Sequence, residues 1–135
     1  MIHMQKLAVG VPSVDSLKKR VVKRCAGRNG KHVVLTRMVP RRADELVAGG
    51  SLYWVIGGAI RARQRVVACE PFAGAKRCRI TLDPEVVATE PVARKAFQGW
   101  RYLSTEDAPG DLRTLDPMSD LDPALHRELA DLGLL

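Results

Sequence analysis

Two adjacent glycines, Gly57 and Gly58, separate the run Ser51–Ile56 (SLYWVI) from the longer run Ala59–Cys69. Both runs are rich in β-branched, aromatic and apolar residues, and a two-residue loop with freedom for positive φ is what a tight β-hairpin requires. The second run alternates: Ile60, Ala62, Gln64 and Val66 fall on one face of a strand, and Arg61, Arg63 and Arg65 on the other. A hairpin alone is marginal in water, so this pair commits the chain to a larger sheet with one buried face.

Other segments supply candidates for that sheet. Residues 3–9 read as a strand, and Ser13 as the N-cap of a helix over 14–26, with Val14, Leu17, Val21, Val22 and Cys25 forming the apolar stripe. Gly27, Asn29 and Gly30 end it. His32–Val39 is strand-like and closes at Pro40, which suits the start of a short helix over Arg41–Val47 that stops at Gly49-Gly50. Lys76–Leu82 reads as a further strand, with short extended pieces at Val86–Val87 and Phe97–Leu103. The expected fold is α+β: a small, mostly antiparallel sheet or β-barrel of five or six strands, two short helices and a C-terminal helix.

Residues 104–135 differ in character. Aspartate, proline and glycine dominate up to Asp122-Pro123, which opens a predicted helix to Leu132 with Leu121, Leu125, Leu129 and Leu132 on one stripe. The 135 residues suit one hydrophobic core, so the expected organisation is a basic domain over 1–103 with an acidic arm and helix, 104–135, docking on it. The charge count supports that division. Eleven Lys/Arg face three acids in residues 1–50, nine face four in 51–103, and two face eight in 104–135.

A basic body favours a polyanionic partner. No apolar run approaches the roughly 20 residues of a membrane span, and residues 1–7 lack the pattern of a signal peptide, so no membrane partner and a cytoplasmic location are expected. Cys25, Cys69 and Cys78 form no C-x-x-C pair, and His3, His32 and His126 lie far apart, so neither a disulfide framework nor a metal site is expected, and no cofactor. Catalytic signatures are thin. Ser51 follows Gly49-Gly50 without a G-x-S-x-G arrangement, Asp44-Glu45 and Asp83-x-Glu85 read as surface and turn acids, and no glycine loop matches a nucleotide fingerprint. No residue is assigned a catalytic role; whether the chain is an enzyme stays open, with the balance against.

Two constellations remain as candidate binding groups. The first is the arginine row Arg61, Arg63 and Arg65, joined by Lys76, Arg77 and Arg79 if the following strand pairs in suitable register. Guanidinium forks match phosphate oxygens, and like charges opposed across strands would be relieved by an anion. Arginine is equally a way to solvate a sheet face. The second is aromatic: Tyr53-Trp54 and Phe97-Gln98-Gly99-Trp100-Arg101-Tyr102 hold five of the six aromatic residues and could line a base-stacking pocket, or fill the core.

The segments Thr36-Arg37-Met38, Arg42-Ala43-Asp44-Glu45-Leu46, Gly49 through Ile56, Leu82-Asp83-Pro84 and Phe97 through Leu103 resemble an uncharacterised bacterial family, domain-of-unknown-function family 1489, over about residues 4–112. The order of helix, Gly-Gly turn, strand and hairpin ending in Cys69-Glu70-Pro71-Phe72 is also similar to PUA-like barrels of the ASCH and EVE types, which often bind RNA or modified bases. The expected function is therefore a non-catalytic RNA- or nucleotide-binding module. The alternatives are a protein-interaction or assembly module, including a homodimer, and a small nucleotide hydrolase.

Overall fold

The structure is a computed structural model that describes residues 2–26, 30–74, 76–95 and 97–112. Seven strands and two helices follow in the order β1 (His3–Leu7), α1 (Val14–Ala26), β2 (His32–Thr36), α2 (Ala43–Val47), β3 (Ser51–Ile56), β4 (Ala59–Phe72), β5 (Arg77–Leu82), β6 (Val87–Ala93) and β7 (Trp100–Leu103).

Local chemistry accounts for the helical ends. Ser13 Oγ accepts a 3.1 Å bond from the Ser16 amide, capping the first turn of α1. Leu17, Val21 and Cys25 of its stripe are buried, whereas Val22 points to solvent at 71% exposure. Helix α2 is shorter than expected and stops at Gly49-Gly50 for a steric reason. A Cβ on Gly50 would lie 2.2 Å from the Ile2 carbonyl oxygen and 2.7 Å from that of Leu46, so only glycine fits between β1 and α2.

The hairpin forms as expected, with positive φ at Gly57 and Gly58. Strand β4 then runs on past Cys69 to Phe72 and organises the sheet. It pairs with β3 along one edge, and along the other first with β6 (through residues 59–63) and then with β5 (through residues 66–72). The hydrogen-bonded order is β2-β5-β4-β3-β1-β7, with β6 also on β4. All pairs are antiparallel except β1 with β3, which lie parallel. The sheet therefore has more strands than the five or six expected, because the short piece expected at Val86–Val87 is the start of a seven-residue strand, Val87–Ala93; β1 sits between β3 and the outer strand β7. Beyond β7 the chain returns to β6, where Thr89 bridges Asp111.

The sheet does not close into a barrel. Its outer strands β2 and β7 share no backbone pairing. Side chains tie them instead: Trp100 Nε1 donates to the Met38 carbonyl at 3.0 Å, and the Arg42 amide donates to the Tyr102 hydroxyl at 3.0 Å. Both faces of the central strands are covered, so every residue of β3 is buried. The main core holds Met4, Leu17, Leu52, Trp54, Ile80 and Leu82 with their neighbours, and a smaller cluster on the opposite face holds Tyr53, Val55, Ile60 and Leu103. The C-terminal helix predicted from Asp122 to Leu132, and the turn residues Gly27 and Asn29, lie outside the described residues.

Candidate functional site

The parallel pairing of β1 builds the site. In register, Lys6 of β1 lies beside Trp54 of β3 on one side and Trp100 of β7 on the other, so the lysine side chain leaves the sheet on the same face as two indoles. Both tryptophans are only 5% exposed, and Lys6 is half-buried. Burial holds the Lys6 pKa below the ordinary lysine value.

Between α1 and strands β1 and β2 this row opens into a cleft of about 580 Å³. Lys6, Arg20 and Arg24 line it, and no carboxylate does among the described residues. Arg20 is held in place by the loop after β1, donating from Nη1 to the Val9 carbonyl at 2.8 Å. His32 and Trp54 form the inner wall. Behind them sits Gln64, fully buried, whose Oε1 accepts from Trp54 Nε1 at 2.9 Å and lies 3.1 Å from His32 Nδ1, while its Nε2 donates to the Asp83 carbonyl at 2.8 Å. An amide oxygen only accepts, so His32 must carry its proton on Nδ1. The amide thus fixes both the indole and the imidazole at the wall of the cleft.

A second cavity of about 470 Å³ lies in the gap between β2 and β7 and shares Lys6 and Leu35 with the first. Arg37, Gln98, Gly99 and Trp100 complete much of its lining, again without a carboxylate among the described residues. Leu35 and Met38 leave apolar surface at this rim, at 51% and 56% exposure.

The arginine row keeps the predicted alternation at Arg63 and Arg65, but the register shifts at Arg61, so Ile60 packs in the opposite cluster and not beside Ala62 and Val66 as expected. Its members are not equivalent. Arg61 Nε donates to the Ile56 carbonyl at 3.1 Å. Arg63 forks onto both carboxylate oxygens of Asp111, at 2.6 and 2.8 Å, and reaches Ser51 Oγ at 3.2 Å. Arg65 is exposed. The following strand does not oppose arginine to arginine: Arg79 lies across from Glu70 and Arg77 across from Phe72, because β5 pairs with the far half of β4 beyond a bulge between Val66 and Ala68. Lys76 is exposed in the turn before β5, and Arg79 sits 5.1 Å over the Phe72 ring. The cross-strand repulsion expected from sequence is therefore absent.

The aromatic residues divide between the two faces. Trp54 and Trp100 belong to the main core; Tyr53 belongs to the opposite cluster, against which Phe97 packs beneath Arg101 at 5.1 Å. Tyr53 and Phe97 therefore lie on the other face of the sheet from Trp54 and Trp100, and of the expected pocket Gln98 and Trp100 line the second cavity. Sequence reasoning missed Lys6, Arg20, Arg24 and Arg37 as a group; nothing in the local pattern shows that β1, α1 and the segment after β2 converge.

The opposite face carries one further polar cluster. His3 Nδ1 accepts from the Ser51 amide at 3.0 Å, and Tyr53 meets the ring edge-on at 5.1 Å. Burial lowers the His3 pKa, and the Arg63 charge lowers it further. Among the described residues, no three His, Cys, Asp or Glu side chains are grouped to hold a metal ion, and no helix is long and apolar enough to cross a membrane.

Fold and site together define an α+β protein with an open, mixed seven-stranded sheet and a basic cleft between its first helix and first two strands. The chain belongs to the family described as protein of unknown function (DUF1489), whose model matches residues 4–135. The match extends through the acidic tail, beyond the residues 4–112 recognised from sequence. No curated protein and no solved structure matches the chain.

Proposed function

We propose that the protein is a non-catalytic RNA- or nucleotide-binding module whose ligand sits in the cleft between α1, β1 and β2. The observation that carries this reading is a nucleotide-sized cleft with three cations, an indole and an imidazole on its walls and, among the described residues, no acid. A half-buried lysine without a carboxylate partner in its cavity loses hydration that a phosphate would restore. Lys6, Arg20 and Arg24 would take phosphate oxygens, with the base towards Trp54 and His32. The row of Arg61, Arg63 and Arg65 plays a lesser part, since two of its members already bond within the chain. The order of elements that resembles PUA-like proteins in sequence points the same way by analogy alone, although this sheet is open where those barrels close.

Binding of short fluorescent RNA and DNA across a salt series tests this. Wild type is expected to bind with a log–log salt slope of about −2, as three contacted phosphates on a single strand imply. Lys6→Met/Arg24→Ala should lose most of that affinity, and Arg61→Ala/Arg65→Ala should keep most of it. Absence of binding at low salt by folded protein refutes the proposal. A second reading, a protein-interaction module, draws on the apolar rim of Val9, Leu35 and Met38. Salt-sensitive self-association without nucleic acid would favour it.

A further inference from the structure

We infer that the ligand is single-stranded and spans both cavities, one nucleotide in each, with its linking phosphate on Lys6. The inference rests on the nucleotide-binding reading above and adds to it the length and strandedness of the ligand. Its basis is the row Trp54–Lys6–Trp100: the first cavity has Trp54 in its wall, the second has Trp100, and Lys6 lines both. Each cavity also has its own exposed arginine, Arg24 in the first and Arg37 in the second.

Spacing sets the geometry of such a ligand. Trp54 and Trp100 lie on strands two steps apart, and neighbouring strands are about 4.8 Å apart, so their backbones are separated by about 10 Å. Stacked bases rise by only about 3.4 Å. One base in each cavity therefore requires the two to be splayed apart, which a duplex does not permit and a single strand does. The gap between β2 and β7 is what leaves the second cavity open; a closed barrel would place backbone hydrogen bonds there.

Calorimetric titration with uridine and adenosine mono-, di- and tetranucleotides, each 5′-phosphorylated, and with a blunt RNA duplex, tests the inference. The dinucleotide should bind at least about tenfold more tightly than the mononucleotide, with little further gain for the tetranucleotide, and the duplex should bind more weakly than either oligomer. Arg37→Ala/Gln98→Ala, at two exposed positions, should abolish the gain from mono- to dinucleotide and leave mononucleotide binding unchanged. Equal binding of mono- and dinucleotide overturns the two-cavity inference and leaves a single-nucleotide site. Equal or tighter duplex binding overturns the single-strand requirement. No binding of any probe overturns both this inference and the function on which it rests.

Discussion

Replacing Gln64 by leucine tests the wall of the cleft. The side chain is fully buried, and its amide serves the Trp54 and His32 ring nitrogens and the Asp83 carbonyl. Leucine fills a similar volume, so the cavity cost is small and the loss is one of hydrogen bonding. A buried donor left without its partner costs about 1–3 kcal/mol. Two are orphaned, the Trp54 and His32 N–H groups, while the Asp83 carbonyl belongs to a partly exposed residue and can regain water. At a mid-range value of about 1.5–2 kcal/mol for each, the sum is about 3–4 kcal/mol, a large part of the 5–15 kcal/mol typical of a domain. At this chain length that corresponds to a fall in Tm of roughly 10–15 °C. Urea unfolding followed by tryptophan fluorescence should show a lower midpoint at unchanged slope. A leucine variant within about 1 kcal/mol of wild type would refute the reasoning, because it would mean the two ring nitrogens are not desolvated at this site.

Other outcomes follow from features described above. Gly50→Ala should destabilise by about 2 kcal/mol or more, since its Cβ would meet backbone oxygen of Ile2 and Leu46 and force β1 and α2 apart; thermal unfolding reads this directly. The His3 pKa is lower in the folded chain than in the unfolded one, so its contribution to stability is complete above the ordinary histidine value of about 6.5 and is lost as pH falls from there towards the folded value. Urea midpoints at pH values on either side of that range should differ for wild type and not for His3→Gln, whose amide oxygen can accept from Ser51 without titrating. The Arg63 fork holds the Asp111 pKa below the ordinary carboxylate value, so the pair stabilises above the unfolded value and weakens as pH falls through the folded one. With Asp111 half exposed, Asp111→Asn should cost no more than about 1 kcal/mol at neutral pH, a difference that acid titration of stability should erase.

How far the chain could be read in advance varied with the range of the interaction. The Gly57-Gly58 hairpin and the Ser13-capped helix depend on contacts a few residues apart, and both stand where the local pattern set them. The alternation from Ala62 to Val66 is also local and holds, and it fails at Arg61, where a bulge turns Ile60 to the other face. What the arginines oppose was not legible, because the bulge between Val66 and Ala68 and the turn before Arg77 set the register of β5. The parallel seat of β1 was equally hidden: residues 3–7 carry no mark of pairing with residues 52–55, whose partner on the other edge is β4. Lys6 therefore looked like an ordinary strand lysine. Trp54 and Trp100 pack apart from Tyr53 and Phe97, with which the sequence groups them, since alternation sends the adjacent residues Tyr53 and Trp54 to opposite faces.

The central position of β1 has a consequence for how binding competence is acquired. Strands β3 and β4 can pair as soon as both exist, but Lys6 reaches its place only when a segment from one end of the domain settles between β3 and β7, and β7 lies almost a hundred residues later in the chain. The second cavity is thus among the last features to form during synthesis, because Gln98, Gly99 and Trp100 line it, whereas the first cleft draws only on residues 6–54. A nascent or nicked chain that lacks β7 presents basic surface but no second cavity. Ligand capture then becomes a report on completed folding, and the ligand a selective stabiliser of chains whose distant segments have met.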